Sequence, residues 1–199
     1  MIEPLSLDAL LPADIAKKAE DVGVRKCLLS FWPLFTLAVL AGAFIALGAI
    51  FSTTVNAGTA GVIPFGLARL LAGLVFCLGL ILMIVGGAEL FTGNALISVA
   101  WASGAVSTLQ VLRNWIIVYL GNLIGALGTA VLLYFSQQYT LGGGAVGLTA
   151  LEIARVKTNL GFVQAMALGV LCNGLVCLAA WLCFGARSTT DKILAILFP

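Results

Sequence analysis

The chain has 199 residues, of which 62% are hydrophobic and only 9% charged, with a net charge of +2 and a mean hydropathy of +1.16. A soluble domain carries about a quarter charged residues, so this chain cannot cover a water-facing surface and lipid must be its solvent. No basic stripe suggests nucleic acid. The sequence contains no histidine, which excludes the usual zinc sites and Ser–His or Cys–His catalysis supplied by these residues.

Residues 1–30 are mixed in charge and lack a continuous apolar core, so they do not read as a signal peptide. From Pro12 they read as an amphipathic helix, with Ile15, Ala19 and Val22 on one face and Lys17, Lys18 and Asp21 elsewhere. A solvated leader helix on the cytoplasmic surface is the plainer reading, preferred to a partner-docking device. Residues 31–199 form one transmembrane domain. Its spanning windows fall at 34–54, 67–85, 115–135 and 162–184, with a shorter apolar piece at 94–101 and a fifth window starting at Ile193. With their flanks the spans become 34–54, 67–101 (broken near 86–94), 109–136 and 162–184, the fifth beginning at 193. Turn-rich connections separate them at 56–66, 101–107, 137–147 and 185–192. Lys17, Lys18, Arg25, Lys26, Arg113, Arg187 and Lys192 fall on the leader side, against Arg155, Lys157 and Arg69 opposite, which places the N-terminus in the cytoplasm.

The second span contains GGAELFTGNAL, residues 86–96, and within it Glu89, the only acidic residue between Asp21 and Glu152. A spanning helix is interrupted only where its freed backbone groups are buried in protein or line a polar cavity. Gly86 and Gly87 loosen one half-helix, Gly93 and Asn94 permit a turn, and Asn94 is placed to cap the short helix 95–101. Glu89 is expected to face the protein interior and clamp the break, a role preferred to that of a transported-proton site. A glycine-rich kink without any part in transport is the bland alternative.

The first and fourth spans share a pattern: FTLAVLAG (35–42) and FVQAMALG (162–169) both read Phe-x-x-Ala-x-x-x-Gly. The second copy enters from the opposite side, as in an inverted repeat, and the chain ends before the second copy's own broken helix and third span. Small residues four apart (Ala38, Gly42 and Ala46; Gly121 and Gly125; Ala165 and Gly169) form ridges that let helices approach closely in lipid. Cys27, Cys77, Cys172, Cys177 and Cys183 lie mostly in apolar runs with no CxxC spacing, and read as small core residues.

GAELFTGNALI, NWIIVYLGNLIGA (114–126) and GVLCNGLVCLAAWL (169–182) resemble the signature segments of the formate/nitrite transporter family. The leader LLPADIAKKAEDVGVRK and the loop TTVNAGTAGVIPFGLARL look closest to its formate channel branch. The resemblance implies an all-α integral membrane protein. Its fold is an aquaporin-like inverted-repeat bundle with a broken second helix and, here, an incomplete second repeat. It also implies a homopentamer in the inner membrane with a pore in each protomer, passing formate and similar small anions, passively or linked to a proton, without a cofactor. By matched position, Leu90 and Phe91 are the cytoplasmic-side constriction and Leu80 an outer constriction residue. Thr92 is a pore hydroxyl, Lys157 a vestibule cation and Asn173 a pore amide. Taken by themselves, Leu80, Leu90 and Phe91 read as packing and Lys157 as an interfacial anchor, while Asn173 in an apolar helix suggests an interior hydrogen bond. The family's second broken helix, with a pore histidine beside a glutamate, and its sixth span would follow Pro199. Nitrite or hydrosulfide conduction and a non-conducting truncated fragment are the rival functions. An intramembrane enzyme would want a nucleophile with a base, or paired carboxylates, and the spans supply neither.

Overall fold

The structure is a computed structural model that describes residues 10–199, so residues 1–9 of the leader lie outside the described residues. Eight α-helices follow in order: α1 (Pro12–Leu28), α2 (Phe31–Asn56), α3 (Phe65–Gly86), α4 (Ile97–Ala102), α5 (Thr108–Phe135), α6 (Ala145–Thr158), α7 (Phe162–Gly185) and α8 (Thr189–Ile196). A 3-10 turn, Gly93–Leu96, leads into α4. Four of these, α2, α3, α5 and α7, have 22 to 28 residues and are apolar enough to span. At 1.5 Å per residue each exceeds the roughly 30 Å hydrocarbon thickness.

The bundle is built on the contacts of α2. Its ridge of Ala38 and Gly42 meets Gly121 and Gly125 of α5, where a Cβ on Gly125 would overlap the Val39 carbonyl and one on Gly42 the Asn122 carbonyl. On the other side, a Cβ on Gly79 of α3 would stand 2.9 Å from the Phe44 carbonyl oxygen. Glycine is needed at these positions for backbone proximity, which is how helices associate where lipid removes the hydrophobic drive. Leu34, Ala38 and Val118 fill the α2–α5 seam, and Ala41, Met83, Ala88 and Leu90 pack beneath the end of α3. The third ridge behaves differently: Ala165 and Gly169 of α7 are exposed, and a Cβ on Gly169 would meet nothing within 4 Å among the described residues.

Three expectations are corrected. The leader helix is packed, not solvated. Ala19, Gly23 and Cys27 are buried along one stripe of α1, and a Cβ on Gly23 would come within 2.9 Å of Ala100 Cβ in α4. The connection after α5 holds an unanticipated helix, α6, entered through Gly142, Gly143 and Gly144, all with positive φ. The last helix starts at Thr189, not at 193, because Ser188 and Asp191 form a reciprocal capping box.

Contacts across the bundle group the termini by side. Lys18 Nζ donates to the Phe184 carbonyl at 3.1 Å and Arg113 Nη1 to the Leu29 carbonyl at 3.0 Å. These join α1, the start of α5 and the end of α7 at one face, while α6 with Arg155 and Lys157 lies at the other.

Candidate functional site

The break between α3 and α4 is the centre of the molecule's polar chemistry. Helix α3 closes on Gly87, whose φ of 77° and ψ of 26° are left-handed values that favour glycine. Gly93, read from the sequence with Asn94 as permitting a turn, opens the 3-10 turn Gly93–Leu96 without a positive φ, so the left-handed residue at the break is Gly87. The Gly87 N–H reaches the Met83 carbonyl, as does the Ala88 N–H at 2.9 Å. The backbone then runs without helix from Ala88 to Thr92.

The freed backbone groups find partners on α2 and α5. The Glu89 N–H donates to the Leu37 carbonyl at 3.2 Å, and the Phe91 N–H to Asn122 Oδ1 at 2.8 Å. Asn122 Nδ2 donates to the carbonyls of Glu89 at 2.9 Å and Ala38 at 2.8 Å. One amide thus ties the broken segment to α2 through α5. This answers the requirement that irregular backbone at membrane depth be satisfied by protein.

Beneath it lies a closed polar ring. Lys26 Nζ donates to both Glu89 oxygens, at 2.9 and 2.8 Å, and to Asn94 Oδ1 at 2.8 Å, so its three protons are all engaged. Asn94 Nδ2 donates to Glu89 Oε2 at 2.8 Å and to Asn114 Oδ1 at 2.9 Å. Asn114 Nδ2 returns to the Lys26 carbonyl at 3.1 Å, closing the circuit, and Trp115 Nε1 donates to the Asn94 carbonyl at 3.0 Å. Glu89, Asn94 and Asn114 are all buried. Asn94 therefore does not cap the following helix: its side chain is spent on the ring, and Thr92 precedes the 3-10 turn without a side-chain cap bond. Glu89 does face the interior, held by side-chain donors and an ammonium ion.

Sequence reading did not single out Lys26, Asn114 or Asn122 for this site. The signal was present in α5, where Asn114 and Asn122 stand eight residues apart, one face of an apolar helix with Val118 between them. Lys26 had none beyond its charge, since its partner is 63 residues away.

Two cavities meet at the end of the break. One, of about 450 Å³, is walled by Phe91, Thr92, Trp115, Met166 and Asn173. Phe91 stands edge-on to Tyr119 and Trp115, with ring centroids 5.4 and 6.3 Å apart. The other, of about 510 Å³ between α3, α7 and α8, is lined by Leu80, Leu90, Thr92, Cys172 and Ile196, with Arg69 among its wall residues. Leu90 also belongs to the core under α3, against which Leu80 packs. Thr92 is common to both cavities, and its hydroxyl makes no hydrogen bond among the described residues; the Thr92 carbonyl accepts from the Cys177 thiol at 3.6 Å. Asn173 Oδ1 is buried with no partner among the described residues. Thr92 therefore stands where the two cavities meet, and Asn173 stands in the wall of the first. Lys157 lies apart from them, exposed in the last turn of α6. Of the cysteines, Cys27 and Cys183 are buried as small core residues, whereas Cys172 is exposed. No group of three or more His, Cys, Asp or Glu side chains suited to a metal occurs among the described residues.

A family model for the formate/nitrite transporters matches residues 13–199. The formate channel FocA of Escherichia coli (strain K12) is 44% identical over 192 residues, covering 96% of this chain and 67% of that protein. FocA of Haemophilus influenzae is 40% identical over 197 residues, covering 99% and 69%. A solved pentameric formate channel with formate bound superposes with a TM-score of 0.80 at 44% identity, over 85% of this chain and 66% of that one. The chain thus spans about two thirds of the length of these relatives. With its broken second span, its buried ring and this match along nearly all its residues, the chain belongs to the formate/nitrite transporter family.

Proposed function

We propose that the chain contributes the permeation path of a channel for small monovalent anions, formate first among them. In this reading it is assembled as a homopentamer in the inner membrane, with α1 on the cytoplasmic side. The observation that carries this reading is Thr92: a hydroxyl without a partner among the described residues, on the non-helical backbone that interrupts the second span, shared by two cavities. Leu80, Leu90 and Phe91 act as the narrow apolar zone. Thr92 and Asn173 supply hydrogen-bonding groups there, and Lys157 acts as a cation at the mouth. Glu89 and Asn94, with Lys26, Asn114 and Asn122, hold the segment in place; Gly93 begins the turn that follows.

The physical task is desolvation. An anion passing between the cavity lined by Phe91 and the one lined by Leu80 and Leu90 loses water, and an unpaired buried charge costs several kcal/mol. Hydroxyl and amide donors offset part of that cost while binding too weakly to trap the ion. The Glu89 carboxylate would repel an anion, but its charge is matched by Lys26 within the ring. The cytoplasmic placement of α1 rests on the excess of lysine and arginine on its side. No catalytic step is part of this reading. Uptake of labelled formate into liposomes, with nitrite and hydrosulfide as competitors, tests it. Rapid formate entry through the protein is expected, with weaker competition by the other two. Preferential entry of nitrite or hydrosulfide would reassign the substrate, and an impermeable protein would end the proposal.

A further inference from the structure

Arg69 occupies a position that the site described above does not use. It lies in the first turns of α3, on the face that descends through Gly73 and Cys77 to Leu80, and it lines the same cavity as Leu80, Leu90 and Thr92. It also lines a second cavity of about 560 Å³ on the α6 side, with Asn56, Thr59 and Glu152. Arg69 is therefore the residue common to the two cavities. Eleven residues of helix separate it from Leu80, a rise of about 16 Å.

Its charge is not cancelled locally. No carboxylate lies within ion-pairing distance of Arg69 among the described residues. Glu152, which shares the α6-side cavity wall, accepts two hydrogen bonds from Arg155, at 2.7 and 2.8 Å, and those bonds hold its carboxyl below the usual carboxylate range. Arg69 instead rests over the Phe65 ring, 5.1 Å from its centroid. Both residues are exposed, so the cation–π contact orients the guanidinium while leaving its N–H donors open. An arginine there presents a positive charge to a cleft with low-dielectric walls, the arrangement that concentrates counter-ions at an entrance.

Resting on the channel reading above, we infer that Arg69 is an anion-gathering residue at the α6-side mouth of the Leu80 cleft, where a small anion pauses before losing its water. Its planar fork matches a carboxylate better than a lysine point charge, but gathering by field needs only the charge. Lys157, exposed in the last turn of α6, lines neither cavity.

The test compares formate flux into liposomes through the native protein, Arg69→Gln and Arg69→Lys, each first shown to be monodisperse in detergent. At about 10 mM salt the screening length, about 30 Å, exceeds the distance to Leu80, whereas at about 1 M it shrinks to about 3 Å. Arg69→Gln is expected to lower flux about threefold at low salt, with Arg69→Lys near the native rate and the difference gone at high salt. Native flux from Arg69→Gln at low salt would overturn the inference. So would a loss that salt does not erase or that Arg69→Lys shares, since that pattern marks a packing role through Phe65. A native protein that carries nitrite or hydrosulfide but not formate would refute the formate reading alone, and the same three proteins would be compared with the anion that passes. A native protein that carries no anion would refute both.

Discussion

Replacing Lys26 by Met tests the polar ring directly. The change keeps the unbranched stem and removes the ammonium, deleting the bonds of 2.8 and 2.9 Å to the Glu89 oxygens and that of 2.8 Å to Asn94 Oδ1. Glu89 would keep a single side-chain donor, Asn94 Nδ2, at a side-chain exposure of 7%. Removing one member of a buried pair costs about 3–5 kcal/mol, chiefly because the other charge is stranded. Lys26 retains 23% exposure, so water screens the pair and the lower end, about 3 kcal/mol, applies. At about 2–4 °C per kcal/mol for a chain of this size, the melting midpoint in detergent should fall by about 6–12 °C. Glu89→Gln should also destabilise, and the double variant should recover a large part of the summed loss, because neither charge is then left alone. A Lys26→Met midpoint within about 2 °C of native, or a double variant melting where simple addition puts it, would refute the pairing.

Asn122→Leu removes three hydrogen bonds around the break. At about 1–3 kcal/mol for each buried group left unpaired, amide exchange at residues 88–92 should quicken well before that of α2; unchanged exchange would show that Asn122 does not hold the segment. Gly125→Leu places atoms into the Val39 carbonyl and should separate α5 from α2, seen as loss of the folded species on size exclusion. Phe91→Ala removes a ring that stands against Tyr119 and Trp115, and should raise acetate permeability relative to formate about tenfold; an unchanged ratio would place the size filter elsewhere.

The broken span was legible because Gly86, Gly87 and a lone Glu89 cannot sit in a plain lipid-facing helix. What holds the break was less so. The ring pairs residues 63 and 68 positions apart, Lys26 with Glu89 and Asn94, and no local pattern encodes such a closure. Lys26 looks in sequence like any topology-setting cation. Asn114 and Asn122 were visible as amides on one face of an apolar helix, the reasoning applied to Asn173, but Asn122 bonds only backbone atoms that any residue would supply, and Asn114 bonds the Lys26 carbonyl and the distant Asn94 side chain. The leader's docking was half legible: Ile15, Ala19 and Val22 marked an apolar face, but the buried stripe continues through Gly23 and Cys27, which are too small to extend that mark. Helix α6 was obscured by the glycines before it and by a length well short of a span. The ridges of α2 and α5 read correctly as contact surfaces, whereas that of α7 finds no partner among the described residues, so small-xxx-small spacing does not reveal which helix it meets.

Thr92→Val measures most directly whether the Thr92 hydroxyl serves the permeating anion. Valine keeps the shape of the side chain, and the hydroxyl it removes has no partner among the described residues, so the melting midpoint should stay at the native value. A hydrogen bond to a charged group contributes about 1.5–3 kcal/mol, so formate permeability in liposomes should fall about tenfold or more. Native permeability from a Thr92→Val protein of native stability would contradict the claim that the break presents this hydroxyl to the permeating anion.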